Sequence, residues 1–548
     1  MAVAREPGRL IARAGPWAAV APVLAFVLLF ALLPLGVLVA AGWTALGGWA
    51  GLTAVVADPL NRAALANSLN QGAWSALAAV VAGYPAGVFL GRYEWRGRNW
   101  VRGLLLVPFL LPSLVVVLAV QDLLGPSGGL GAVLPAAHWW STGTPGIVVV
   151  NVVFNVPIVI LLTAVGVESA RTDLEEEARL LGASAARVYR EVWGPPSWVG
   201  ALAGGLLTFL FSALAFAAPI LLCGARCFTL EARIWSLDVV LLQPAAASLL
   251  ALTLVAFLAV PTAAYLWLVY RLRRASGLAR RQALRWSEPI PLALGGWTAV
   301  LLASVAAVLG SVLWRSVDPT GGPSLSSAGW SALFSPGTSA ALGVSAVSAL
   351  GNTLALAVAG ALIAVLLGVV SGFVVTARPR VAGVLRFVLF VPLLVSPIVL
   401  SLSLAAFWRP VLGGASAVWA LILLSQATLA LPFALQTLYV ALAETPRAGA
   451  ESARTLGAGA WRAYVDVDLT FAIPALGAAA LFAFALCLGE FTATYFLATP
   501  AFTTLPVLLF QLESVRQTAA ANAAAALLLV VSLGTLSWAA VRGRGVEL

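Results

Sequence analysis

Glu451-Ser452-Ala453-Arg454-Thr455-Leu456-Gly457 lies between two long apolar segments, and a shift of 275 positions lays Glu176-Glu177-Ala178-Arg179-Leu180-Leu181-Gly182 over it. The same shift superposes Ala183 on Ala458, Arg187 on Arg462, Tyr189 on Tyr464 and Glu191 on Asp466. Each copy reads as a short helix, a glycine break and a second amphipathic helix. An internal repeat fixes architecture before any single residue does. This one predicts two copies of a membrane unit, each presenting one polar loop on the same side.

The composition agrees with a membrane chain. Of 548 residues, 61% are hydrophobic and only 9% charged, and apolar runs of membrane-crossing length recur throughout. About 20 apolar residues, at about 1.5 Å each, cross a hydrocarbon core. Twelve spans are expected, near 17–41, 73–90, 103–124, 145–167, 200–223, 247–270, 292–314, 351–375, 385–407, 415–442, 472–498 and 523–541. The first run follows Arg5, Arg9 and Arg13 and is too long for a signal peptide, so it reads as a membrane anchor.

A net charge of +10 could suggest nucleic acid, but its placement argues for topology instead. All 31 basic residues are arginine, and the span count puts 25 of them on one side of the membrane. That bias is the positive-inside signature and places both termini in the cytoplasm. The six-arginine segment Arg271, Arg273, Arg274, Arg280, Arg281 and Arg285 joins two halves, expected as residues 1–275 and 291–548 with a linker over 276–290.

The repeat extends beyond the polar loops. Asn67-Ser68-Leu69 matches Asn352-Thr353-Leu354, and Thr229-Leu230 matches Thr504-Leu505. Pro108 matches Pro392, and Pro157 matches Pro432. Copies in the same order and on the same side are parallel repeats, with a pathway expected at their interface. Proline within a spanning helix removes a donor and kinks the segment. Packing geometry and a kinked pathway lining are both open readings of these four prolines.

Several chemistries are excluded. The chain has no lysine, so it carries neither a P-loop lysine for nucleotide phosphates nor a Schiff-base nucleophile. Its single histidine, His138, lies beside Trp139 and Trp140 and reads as an interfacial anchor. Cys223, Cys227 and Cys487 lack metal-site spacing. Cys223 and Cys227 are read as two small thiols, with pairing as the alternative.

The paired loops resemble the cytoplasmic EAA loop of ATP-binding-cassette (ABC) importer permeases, whose pattern is Glu-Ala-Ala, three residues, then Gly, with a later proline. Here Glu176-Glu177-Ala178 precedes Gly182, and Glu451-Ser452-Ala453 precedes Gly457; the later prolines are Pro195, Pro196 and Pro474. Both copies depart from the pattern at the second position. The resemblance implies an all-α integral membrane fold, twelve helices in two parallel six-helix repeats. It implies docking of each loop, with Arg187 and Arg462, into a cytoplasmic ATPase. Two ATPase copies and an extracytoplasmic solute-binding protein would be partners, with ATP and Mg held by the ATPase and no cofactor in this chain. The implied location is a bacterial or archaeal cytoplasmic membrane. Leu181, Val188, Leu456 and Tyr464 are expected to offer an apolar ridge.

Fused two-half chains resemble the permeases for thiamine and ferric iron, and residues 104–130, 151–162, 228–237 and 488–497 look most like the thiamine permease. Ferric and molybdate permeases share the Gly489-Glu490-Phe491 element. Glu490 is an acid that the span count places inside a membrane helix, either facing a cationic solute or capping a helix end. A secondary transporter, and more remotely a membrane-embedded enzyme or scaffold, are the competing classes; neither accounts for a duplicated polar loop.

Overall fold

The computed structural model describes residues 21–542 apart from 127, 275–280, 285–286, 319–324, 378–388, 390–391, 393–394, 446 and 500–501. Even β-branched runs are helical here, as in Gly143–Glu168, which contains Val148-Val149-Val150 and Val152-Val153. In lipid a helix satisfies its own backbone, and that requirement overrides intrinsic propensity. Among the described residues, ten helices are long and apolar enough to cross a membrane, or eleven if one bent pair is a single span. Pro397–Leu412 is a shorter apolar helix in the region of the expected ninth span. The twelve expected spans are thus met by ten or eleven full-length helices. Beside them, Tyr93–Glu94 and Gln282–Ala283 form a two-residue parallel ladder.

The chain forms two compact units, each drawn from both sequence halves. One comprises residues 42–335 and 509–529, the other 1–41, 336–508 and 530–548. In the first, Pro59–Arg92, Gly143–Glu168 and Gly194–Ala213 pack closely. Gly83, Gly87 and Gly91 recur every fourth residue of Pro59–Arg92 and let the backbones approach. A Cβ at Gly87 would lie 2.5 Å from the Thr163 Cβ, and one at Gly91 2.7 Å from the Ala164 carbonyl oxygen. Small residues at this spacing are how helices associate where lipid removes the hydrophobic drive. Pro289–Val317 belongs to the same unit, donating the Trp297 indole N–H to the Ala82 carbonyl.

In the other unit Ala346–Ala377, Gly414–Glu444 and Ile473–Gly489 pack together. The first apolar run joins them, with Val23, Phe26, Val27 and Ala31 buried among Phe373, Leu431, Leu435 and Tyr464. The Trp408 indole donates to the Leu29 carbonyl. The opening helix of each sequence half therefore packs in the unit that holds most of the other half.

Helix breaks refine the expected spans at matched positions. The third span breaks after Leu110, because Pro112 drives Leu111 into an extended conformation. The fifth ends at Ala213 rather than 223, and the eleventh at Gly489 rather than 498. Each is followed by a six-residue helix, Ala217–Leu222 and Thr492–Leu497, again 275 positions apart. Residues after these short helices turn back differently. Cys223 and Cys227 form a disulfide, which corrects the reading of two separate thiols. A four-residue spacing across a short helical turn brings the two Cα atoms within 5.6 Å, inside bridging range. At the equivalent place in the second half, Thr499 and Phe502 exchange backbone hydrogen bonds.

Repeated residues make repeated bonds. The Ser68 hydroxyl accepts from the Leu230 N–H at 2.9 Å, and the Thr353 hydroxyl from the Leu505 N–H at 2.8 Å. Asn67 donates to the Arg226 and Phe228 carbonyls, and Asn352 to the Thr503 carbonyl. Leu230 and Leu505 open helices, so their amides have no intrahelical partner. Ser68→Ala and Thr353→Ala are each expected to cost about 1 kcal/mol, with Ser68→Thr and Thr353→Ser nearly neutral. Thermal unfolding of the detergent-solubilised chain checks this; equal melting temperatures for all four variants would contradict it.

Candidate functional site

The two polar loops fold alike. Thr172–Leu180 and Arg447–Thr455 are nine-residue helices, followed by Ala185–Val188 and Ala460–Ala463. Acidic Asp173 and Glu175 open the first helix and Arg179 closes it, complementing the helix dipole. Both nine-residue helices end the same way. The amides of Gly182 and Ala183 donate to the carbonyls of Arg179 and Ala178, and those of Gly457 and Ala458 to Arg454 and Ala453. This pair of bonds is a Schellman closure. It requires a left-handed residue, and Gly182 and Gly457 have φ of +80° and +93°.

Exposure repeats residue for residue. Glu176, Glu177, Arg179, Leu181 and Gly182 are exposed, with Ala178 half-buried; Glu451, Ser452, Arg454, Leu456 and Gly457 are exposed, with Ala453 half-buried. Leu181 and Leu456 are each 88% exposed. Val188 and Tyr464, expected on the same ridge, are instead buried at 1%. Val188 ends the second short helix of the first loop and Tyr464 opens the turn after that of the second; both face inward, where they hold the loop to its unit. The exposed ridge is the leucine tip, with Leu180 beside it in the first copy.

Arg187 pairs with Glu191 and Arg462 with Asp466, each one helical turn apart on exposed surface. Beyond them both loops pass through one π-helical turn, Tyr189–Trp193 and Tyr464–Asp468. Turns of this kind are frequent at functional sites. Tyr189 meets the Tyr84 hydroxyl at 2.8 Å, and the Tyr464 hydroxyl donates to the Val369 carbonyl at 2.8 Å. The π turns carry no pattern that periodicity can detect, and only the matched tyrosines marked the place.

The first loop has an ionic support that sequence reading missed. Arg92 reaches Glu175 through both terminal nitrogens, at 2.6 and 3.1 Å, and stacks over the Trp193 ring at 4.5 Å. Gln282, from the segment between the halves, donates to the same carboxylate. Nearby, Glu168 is ringed by Arg98, Arg102 and Arg281. Clustered arginines had a sufficient explanation in topology, and spacing alone could not single out Arg92.

Glu490 stands at the break between Ile473–Gly489 and Thr492–Leu497. Its carboxylate accepts from the Ala493 amide at 2.7 Å, the Thr494 amide at 2.9 Å and the Thr494 hydroxyl at 2.7 Å. These are helix-capping bonds. Pro108, Pro157, Pro392 and Pro432 are all buried; Pro108, Pro157 and Pro432 lie within helices. Among the described residues no group of three or more His, Cys, Asp or Glu is placed to hold a metal ion.

Comparison with known proteins gives the same direction. Residues 83–275 match the family described as binding-protein-dependent transport system inner membrane component. A probable molybdenum ABC transporter permease of Haloferax volcanii is 31% identical over 208 residues, 38% of this chain and 74% of its own length. The sulfate transport system permease of Salmonella typhimurium is 32% identical over 209 residues, 37% of this chain and 72% of its own. The spermidine/putrescine permease of Escherichia coli is 30% identical over 175 residues, 31% of this chain and 64% of its own. With its multi-pass helical architecture and repeated loops, the chain belongs to the permeases of ABC importers, the inner-membrane components of binding-protein-dependent transport systems.

Proposed function

We propose that this chain supplies both halves of the solute pathway and that the loops around 171–193 and 446–468 each receive one cytoplasmic ATPase subunit. The observation that carries this reading is the matched pair of Schellman-closed turns, each raising an 88% exposed leucine. A leucine so placed gains by entering a groove, at roughly 1.5–3 kcal/mol for full burial. ATP closure of the two motor subunits would then draw the loops together and favour one state of the pathway. Such coupling requires differential binding to the two states. Hydrolysis is assigned to the ATPases, since this chain has no P-loop lysine. ATP and Mg are their ligands.

The loops face the cytoplasm in this reading because the arginine-rich ends lie with them. The Cys223–Cys227 disulfide then falls at the other end, on the side where disulfides persist. A solute-binding protein would deliver cargo there. Thiamine or its phosphates is the solute proposed from the stretches over 104–130, 151–162, 228–237 and 488–497, with ferric iron as the second reading. The relatives are permeases for molybdenum, sulfate and spermidine/putrescine.

Leu181→Asp and Leu456→Asp are each expected to weaken ATPase association at least tenfold without changing permease folding. Gly182→Val and Gly457→Val should act similarly, because a left-handed β-branched residue costs about 1–2 kcal/mol. Copurification of permease and ATPase reads both; undiminished association in the leucine variants would refute the docking role. After reduction of intact cells, a membrane-impermeant maleimide is expected to label Cys223 and Cys227. Labelling only after the membrane is opened would reverse the assigned sidedness.

A further inference from the structure

The two docking loops share one geometry but are fastened by different physics. In the second, Ala450 occupies the repeat position of Glu175, and Ala377 that of Arg92. Among the described residues its loop is held by apolar contacts and by the Tyr464 hydroxyl, which donates to the Val369 carbonyl. The Phe373 ring lies 5.0 Å from Trp461 and 5.5 Å from Tyr464, and Val467 borders Gly449 so closely that an added Cβ would meet it at 3.0 Å. Ala450 and Tyr464 are buried.

The first loop is held ionically at both ends by one side chain. Arg92 closes the Pro59–Arg92 helix, makes the two-pronged pair with Glu175 in the docking helix, and covers Trp193 at the end of the π turn. The Arg92 and Glu175 side chains are only 11% and 13% exposed. Planar two-point pairing is both strong and directional, and the ring contact adds to it. Glu175 also accepts from Arg179 at 2.8 Å and Gln282 at 3.1 Å. Burial pushes the Glu175 carboxyl up, but the Arg92 bonds and charge, with Arg179, outweigh this and hold it below the usual carboxylate range.

Gln282 is not an isolated contact. Residues 282–283 pair in parallel with 93–94, the Leu284 amide donates to the Glu94 carbonyl, and Arg281 reaches both Glu94 and Glu168. The segment joining the sequence halves is thereby stitched to the residues that follow Arg92 and to the docking helix itself.

We infer that Arg92 and Glu175, braced by Gln282 of the inter-half segment, are positioning residues that set the first docking helix for its ATPase, while the second loop is held, among the described residues, by packing and by the Tyr464 hydroxyl bond to the Val369 carbonyl. This rests on the docking role proposed above. The first loop is therefore the one that responds to charge and to the inter-half segment. Removing either ionic partner costs the other its two-point pair in a half-buried setting, which loosens residues 172–180.

Hydrogen exchange on the full-length chain in lipid nanodiscs, together with affinity for the ATPase subunit that copurifies with it, tests this. Arg92→Ala and Glu175→Ala are expected to speed exchange of amides 172–180 at least tenfold, leave 447–455 unchanged, and weaken ATPase binding at least fivefold. The reciprocal pair Arg92→Glu with Glu175→Arg should recover part of both losses relative to either single variant, the rest being lost with the Trp193, Arg179 and Gln282 contacts, and Gln282→Leu should give a smaller loss of the same kind. Unchanged exchange at 172–180, equal loosening of both loops, or loosening without loss of ATPase affinity would each overturn the inference. Leu181→Asp measured in parallel separates the two proposals. If it leaves association intact, the docking role fails; if it abolishes association while Arg92→Ala and Glu175→Ala do not weaken it, only the ionic positioning fails.

Discussion

A helix that stops within or at the edge of an apolar medium leaves amides and carbonyls that water cannot reach, and this constraint shapes the fold at its breaks. Ser68 and Thr353 satisfy the amides of Leu230 and Leu505. Thr229 caps one helix and donates its hydroxyl to the Ala215 carbonyl, while Glu490 caps the equivalent break in the second half. Outside the apolar region the same need is met by backbone alone, through the glycine closures at 182 and 457. Each closure fixes where a segment turns, and hence which side chains the turn presents.

Much of the architecture was legible because the repeat is written in residues with single roles. Gly182 and Gly457 had to be left-handed turns once a helix preceded them, and the structure gives both a positive φ. Asn67 and Asn352 were paired by the repeat and bond to matched loops, although both lie inside helices that begin earlier, at Pro59 and Ala346. The helix breaks at 111–112, 214–216 and 490–491 were not legible, because an apolar run reads the same whether it is one helix or two. Hydropathy counts residues; it does not see a local backbone reversal.

The proposed docking loops were legible in their tips and illegible in their supports. Leu181 and Leu456 stood out against their polar neighbours. Val188 and Tyr464 shared that contrast, yet helical rotation turns them inward, where they anchor instead of contact. Arg92, Glu175 and Gln282 lie far apart in sequence and in segments already explained by membrane topology. Only folding brings them to one carboxylate. Repetition in sequence thus marked what the halves share, and the departures from repetition marked where one half is held differently.

The central claim is that two cytoplasmic turns deliver the force of separate motor subunits to this permease. Photo-crosslinking residues incorporated at positions 181 and 456 of the assembled transporter test it most directly. The account predicts that each position captures an ATPase subunit, from the cytoplasmic side and in comparable yield. Capture of the external solute-binding protein, or of lipid alone at both positions, would contradict it.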